Sequence, residues 1–399
     1  MSQTKAQLVS GTTAQDLTVD NINTTSINSG QTSGRKNLII NGAMQIAQRG
    51  TTSTSVGYVT LDRFNTDYGG ENEAPTYEQA DVASGTTPYT QGFRKAFKVT
   101  NGNQTGGAGA GDYIFVRQKI EAQDLAGSGW NYTSASSFIT LSFWVKSSVA
   151  QNFNCRLETQ DGTVQNFPFQ TGSLSADTWT KVTKTIPGNS NITIDNNNGT
   201  GLEIHWQLFR GTNFTDNSVS NDTWAAYASG TRTKDATSTW WTTNDATWEI
   251  TGVQLEVGST ASDFEHKTFI EDLRLCQRYY YKSTQYSYKI QNPIASAQQV
   301  DGDGYLGWIF YSSTSCRSFN YEHPVEMRAS PTVTFYSSAR VSSPDDGKMA
   351  VYSGAWYNLT SNTAETNTRR LGIKGGYTPG LTVGNAYLIG GGFECSSEL

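Results

Sequence analysis

Residues suited to acid–base or metal chemistry are few in this 399-residue chain: three histidines (His205, His266, His323) and four cysteines (Cys155, Cys276, Cys316, Cys395). Glu203 and His205 stand two apart in LEIHWQLF, so on a strand they point the same way and can touch. A carboxylate–imidazole pair could move protons, but an outward polar pair on a sheet is the favoured reading. His266 opens a helical pattern and His323 precedes Pro324, so neither is placed for general base work. HExxH, G-x-S-x-G and Walker patterns do not occur. The glycines from Gly106 to Gly111 lack the strand–turn–helix context of a phosphate cradle. Glycoside cleavage needs two carboxyls about 5 to 9 Å apart. Glu71 with Glu73, and Asp301 with Asp303, are candidates that read better as turns. Asp301, Asp303 and the Asp195-Asn-Asn-Asn-Gly run also offer oxygens to calcium, but none fits an EF-hand loop. The cysteines are far apart and read as free, mostly buried thiols. The expectation is no catalytic residue, no metal, no cofactor and no enzyme.

Binding chemistry is better represented. A sugar ring has an apolar face that stacks on Trp or Tyr, while its hydroxyls seek Asn, Gln and Asp. Aromatic residues reach 12% of the chain, against only 16% charged and 36% apolar residues. Disordered chains are poor in aromatics, so the polar remainder is not a disorder signature. Trp224, Tyr227, Trp240 and Trp241 lie in a polar stretch between strand patterns, and Trp308, Tyr311, Trp356 and Tyr357 are similar. These eight are the candidate glycan or receptor contacts. Taken singly, each has core or subunit-interface packing as its default role. Trp144 lies on the polar side of its strand.

The elements that must position these rings are strands. In FITLSFWVK, Ile139, Leu141, Phe143 and Val145 share one face, with Thr140, Ser142, Trp144 and Lys146 opposite. In LEIHWQLF, Leu202, Ile204, Trp206 and Leu208 oppose Glu203, His205, Gln207 and Phe209. Both read as antiparallel strands with one buried face. Trp248 and Ile250 are out of phase with Val253, Leu255 and Val257, which predicts a bulge at Gly252. Turn signals at Asp161-Gly162, Pro187-Gly188 and Asn198-Gly199 suit a sandwich. Helical spacing of Phe269, Leu273, Cys276 and Tyr280 predicts a linking helix within 263–282, capped by Ser262 or Asp263. Strands are expected at 305–311, 332–336, 349–352 and 386–389.

The fold class is therefore mostly β: a short N-terminal anchor (1–35), a jelly-roll β-sandwich (36–262), a linking helix (263–282) and a C-terminal β-sandwich (283–399). Residues 1–35 contain no aromatic residue. Leu17, Val19, Ile22 and Ile27 form an apolar strip there that needs a partner, either copies of itself or another protein.

The net charge of −6 and thinly spread Lys and Arg argue against nucleic-acid binding. No segment approaches the roughly 20 apolar residues of a membrane span, so no membrane insertion is expected. Residues 1–30 lack the apolar core of a secretory signal, which implies synthesis in a cytoplasm.

Three stretches carry a resemblance: KNLIINGAMQIAQRGTT (36–52) with YVTLDRF (58–64); WEITGVQLEVGSTASDFEHKTFIEDLRLCQRYYYK (248–282); and HPVEMRASPTVTFY (323–336). Together they resemble tail-fibre and related virion structural proteins of tailed bacteriophages, including cyanophages. SFWVKSS, TWTKVTKTIPG and GVQLEVG resemble carbohydrate-binding-module jelly rolls. The resemblance implies a homotrimeric viral tail fibre that carries its N-terminus on a tail adaptor or nozzle protein. Its C-terminal domain would be the receptor-binding tip, engaging a host polysaccharide or outer-membrane protein during adsorption, with multivalency strengthening host attachment. The alternative is a capsid decoration or head-fibre protein; a glycan-cleaving spike is less favoured.

Overall fold

Alternation along 138–147 and 200–210 requires two faces, and both segments are strands in the computed structural model. It describes residues 36–295, 308–318, 320–345, 347–353, 355–377, 382–384 and 386–399, and the backbone of Ser26–Ile27 and Gly30–Gln31. Leu17, Val19, Ile22, Asp301 and Asp303 lie outside the described residues. Ile27 lies in the first of two paired two-residue strands, β1 (Ser26–Ile27) and β2 (Gly30–Gln31).

Twelve further strands build the N-terminal unit: β3 (Thr52–Ser53), β4 (Phe64–Gly69), β5 (Thr76–Asp81), β6 (Lys95–Thr100), β7 (Tyr113–Glu121), β8 (Phe138–Ser147), β9 (Asn152–Thr159), β10 (Gln165–Ser173), β11 (Thr180–Pro187), β12 (Thr200–Arg210), β13 (Ala225–Ala226) and β14 (Thr247–Val257). They form two six-stranded antiparallel sheets, ordered β13-β10-β9-β12-β7-β4 and β11-β8-β14-β6-β5-β3. The inward residues are the apolar sets read from the alternation: Leu202, Ile204 and Trp206 of one sheet, and Ile139, Leu141, Phe143 and Val145 of the other, are all buried. Phe143 meets Trp206 edge-on across the gap, ring centroids 5.9 Å apart. Each such side chain contributes about 1.5–3 kcal/mol of burial.

The two sheets differ on their outer faces. Trp144 of the β8 sheet is buried with Val82, Phe93 and Ala96, and Phe264 packs against this set. The outer face of the β12 sheet is overlain by the loop after β12, whose backbone accepts from Asn166 Nδ2 at Arg232 O (2.7 Å) and from Asn154 Nδ2 at Lys234 O (2.7 Å). On β14 the register shifts between Thr251 and Gln254, with Gly252 at φ +63. A bulge therefore lies where the phase change predicted it. The stretch after Lys36 runs along this irregularity: Leu38 N donates to Leu255 O (2.9 Å) and Val253 N to Gly42 O (2.9 Å).

The helix is shorter than expected. It spans Phe269–Gln277, and its cap is Thr268, whose hydroxyl and Glu271 form a capping box. Ser262 is not the cap because Glu256 already binds it. Phe269 and Ile270 are 43% and 53% exposed, while Cys276 is fully buried. Tyr280 leaves the helical pattern because β15 (Tyr280–Lys282) pairs with the last strand.

The remaining strands are β16 (Trp308–Ser312), β17 (Ser315–Ser318), β18 (Tyr321–Glu322), β19 (Thr332–Tyr336), β20 (Ala350–Tyr352), β21 (Trp356–Asn358), β22 (Ser361–Thr366), β23 (Arg370–Gly376), β24 (Ala386–Tyr387), β25 (Ile389–Gly390) and β26 (Gly392–Ser396). They form small antiparallel sheets around a core that includes Trp308, Phe310, Leu371, Ile373 and Phe393. The Ser361–Thr366 and Arg370–Gly376 hairpin was not anticipated; its polar residues hide the alternation.

Charged contacts seal the junction between the units. Arg278 grips buried Glu121 through Nε (2.7 Å) and Nη2 (2.8 Å), and the Tyr279 hydroxyl donates to the same carboxylate. Glu398 accepts from Arg49 (3.1 Å) and from buried Arg63. The Arg63 and Arg49 guanidiniums lie 3.5 and 3.6 Å from the ring centroids of Tyr279 and Tyr280. Segments of two resembling stretches, QRGTT and LDRF of the first and QRYYYK of the second, thus meet at one place with the C-terminus.

Two substitutions test this account by thermal and urea denaturation. Gly252→Ala puts a Cβ 2.7 Å from Phe93 Cζ at a left-handed φ, and a loss of about 1–3 kcal/mol is expected. Glu121→Ala strands Arg278; the loss falls at the low end of the roughly 3–5 kcal/mol typical of a broken buried pair, because Arg278 keeps partial solvent contact.

Candidate functional site

Between that loop and the sheet lies a cleft of about 490 Å³ across β4, β7, β12 and β9. Register places its residues in cross-strand rows. Glu203 lies between Lys119 and Glu158, His205 between Arg117 and Arg156, and Gln207 between Phe115 and Asn154. The period-two rule that turns Trp206 inward turns these side chains outward.

The first two rows are tied together. The His205 and Glu203 side chains do meet: Nε2 is 2.8 Å from Oε2. A contact to a carboxylate puts the ring proton on Nε2. Arg117 also bonds Glu203 (3.3 Å), and the Lys119 ammonium lies 3.5 Å away. Burial pushes the Glu203 carboxyl up, but the bond from His205 and the charges around it win and hold its pKa at about 2. Burial and the Arg156 charge hold His205 well below the ordinary histidine value, so the ring is neutral at pH 7. Arg156 pairs with Glu158 and approaches His205 Nε2 at 3.2 Å.

The far end of the cleft is aromatic and basic. Tyr113 and Phe115 stack with centroids 5.9 Å apart, and Phe214 meets Tyr113 edge-on at 6.0 Å. The Tyr113 ring lies over Gly69, where a Cβ would come within 2.8 Å of it. The β12 register shifts between Gln207 and Phe209. Phe209, expected on the outer face, therefore turns inward and stacks on Trp241 at 5.1 Å. The same shift sends Arg210 outward, opposite Tyr113. Arg232 reaches over and donates from Nε to the Tyr227 hydroxyl (2.7 Å).

Of the eight ring candidates, Tyr227 alone lines this cleft. Trp224, Trp240 and Trp241 are buried and point inward, which corrects their reading as surface contacts. Their indole nitrogens donate to Pro187 O (2.7 Å), Thr247 O (3.0 Å) and Gly107 O (2.8 Å), so polar neighbours in sequence serve as backbone acceptors. Trp308 is fully buried in the C-terminal core, whereas Tyr311 and Tyr357 are 56% and 43% exposed. Trp356 packs on Tyr352 (5.5 Å) beneath Arg340, and Tyr357 on Tyr377 (5.9 Å).

Tyr113, Phe115, Arg210, Phe214 and Arg232 were not singled out from the sequence. YIFVRQKI does hold the signal for the first two: Tyr113, Phe115, Arg117 and Lys119 alternate with Ile114, Val116 and Ile120. Arg210 follows a bulge and the other two sit on a loop, so no periodicity marks them. The turn carboxylates have structural duties: Glu73 accepts from Asn103 N (2.8 Å) and Asp161 from Asp195 N (2.9 Å). His266 lies before the helix, bonded to Gln91 O (2.9 Å). All four cysteines are buried and free. Among the described residues, no three His, Cys, Asp or Glu side chains are grouped to hold a metal.

No known family model and no curated protein matches the chain. Several solved structures are similar at low identity. A bacteriophage CBA120 tailspike protein 4 enzymatically active domain matches at 9% identity and TM-score 0.29, over 55% of this chain and 21% of that one. The chain thus spans about a fifth of that domain. A CBM4 structure matches at 15% identity and TM-score 0.29, over 54% of this chain and 97% of that one. The CBM22-1–CBM22-2 tandem domain of Paenibacillus barcinonensis Xyn10C matches at 8% identity and TM-score 0.28, over 94% and 99%.

Glu203 makes the fold acid-sensitive in a defined direction. Its folded pKa of about 2 lies below the unfolded value of about 4.3. Its stabilisation, at most about 3 kcal/mol, is complete above the unfolded value and lost as pH falls through about 4.3 towards about 2. Glu203→Gln should flatten the melting-temperature profile across that window and lower the midpoint at pH 7, as scanning calorimetry would read.

Proposed function

We propose that this chain is a non-enzymatic, glycan-binding structural protein of a tailed-phage particle. The observation that carries the binding reading is the β12 cleft, where four rings (Tyr113, Phe115, Phe214, Tyr227) stand among fixed donors and acceptors. Tyr113, Phe214 and Tyr227 are partly exposed beside buried Phe115 and suit the apolar face of a sugar, and side chains locked by neighbours meet hydroxyls with little ordering cost. The carboxylates of the cleft favour binding over cleavage. A glycosidase acid needs a raised pKa, whereas Glu203 is held ionised by its neighbours His205, Arg117 and Lys119.

The virion placement is proposed on the motif resemblance. In this reading the chain is a homotrimeric tail fibre, residues 1–35 attach it to a tail adaptor, and it adheres to host surface polysaccharide during adsorption. The binding surface moves from the C-terminal tip to the N-terminal sandwich, because the cleft is there and Trp308 is core. Exposed Tyr311 and Tyr357 remain proposals for contacts at the tip.

Tyr113→Ala and Tyr227→Ala, confirmed folded by circular dichroism, should each weaken binding of the full chain to a bacterial surface polysaccharide by about tenfold or more. The probe is selected from an array with the unaltered protein and read by titration calorimetry. Unchanged affinity in both variants would remove the cleft from the account.

A further inference from the structure

Accepting the cleft as the glycan site, its far end carries more positive charge than it can neutralise. Among its lining residues Arg117, Arg156, Arg210 and Arg232 outnumber Asp67, Glu158 and Glu203, in a chain whose net charge is −6. Arg117 and Arg156 are paired with Glu203 and Glu158. Arg210 and Arg232 form no ion pair among the described residues. Arg210 is 4% exposed and its Nε has no hydrogen-bond partner there. Its guanidinium instead sits 4.9 Å from the Phe115 ring centroid and 5.3 Å from that of Phe214, where Arg232 also packs at 4.9 Å.

Holding a buried cation beside a second one, with neither in an ion pair, is unfavourable. Burial, then Arg232, pulls the Arg210 pKa down to about 10; burial, then Arg210, pulls Arg156 down to about 9. Arg210 and Arg156 remain charged at neutral pH, so the repulsion persists. One lining residue also carries an unsatisfied group: His205 Nδ1, an acceptor in the neutral ring, in a residue only 2% exposed.

We infer that this end of the cleft recognises a carboxylated sugar, so that the natural ligand is an acidic polysaccharide. The planar forks of Arg210 and Arg232 match a carboxylate in two-point fashion. His205 Nδ1 accepts a hydrogen bond from a sugar hydroxyl, and Tyr113 and Phe214 lie against the ring. A neutral sugar would satisfy the last three and leave the cations unrelieved.

The test compares polygalacturonate, alginate and hyaluronate with the same polymers after reduction of carboxyl to alcohol, each titrated into the full chain. The expected result is at least tenfold tighter binding of one acidic polymer than of its reduced form. Arg210→Gln and Arg232→Gln should bring that ratio close to one, and Arg210→Lys should give an intermediate ratio because charge survives without the fork. Equal binding of acidic and reduced forms would overturn this inference and leave the glycan reading standing. Binding of neither form of any polymer would count against both. An acid preference that persists in folded Arg210→Gln and Arg232→Gln variants would overturn the assignment to these residues.

Discussion

The pleat of β12 is the constraint on which the rest depends. Leu202, Ile204 and Trp206 are committed to the core between the sheets. With a strict side-chain period of two, that commitment leaves Glu203, His205 and Gln207 nowhere to go but the opposite face. A slip of one residue would bury two ionisable groups against Phe143 and expose Trp206. Because apolar burial fixes the register so firmly, the strand can hold an ionised carboxylate, a neutral imidazole and an amide at fixed spacing. This is the preorganisation a binding surface requires.

Both sheets have an outer face, but only one becomes a site. Over the β8 sheet, Phe93 and Phe264 lie edge to face at 4.9 Å, and the Trp144 indole donates to Gln91 (3.1 Å). That cover turns a strand face with polar residues into a secondary core. Over β12 and β9, the loop that follows β12 covers part of the face through polar contacts, and the gap left between loop and sheet is the cleft. Asymmetric covering, more than composition, separates scaffold from site.

The junction with the C-terminal unit uses a different device. Arg63 is almost fully buried at a φ of +71, which is costly for a non-glycine residue. Glu398 and the Tyr279 ring hold it there, and Asn41 supports the adjacent backbone by donating to Asp62 O (3.0 Å) and Ile46 O (2.8 Å). Charge pairs of this kind add little net stability over apolar packing, but losing one partner leaves the other buried and uncompensated. They fix where the C-terminal strand β26 and the helix must lie against the sandwich.

Much of the architecture was legible in the chain. Alternation in FITLSFWVK and LEIHWQLF identified strands and their inward faces, and the phase change around Gly252 located a bulge. These are local signals, since a strand's periodicity is written in consecutive residues. The meeting of Glu203 with His205 was equally local. What the sequence could not decide was which outward face keeps a cleft under its covering loop, that Trp224, Trp240 and Trp241 turn in to find backbone acceptors, or that Arg210 joins Arg232 beside Phe214. Each depends on where a distant loop or sheet comes to rest. Exposure and charge environment belong to the assembled layers, because burial is a property of neighbours in space and not of neighbours along the chain.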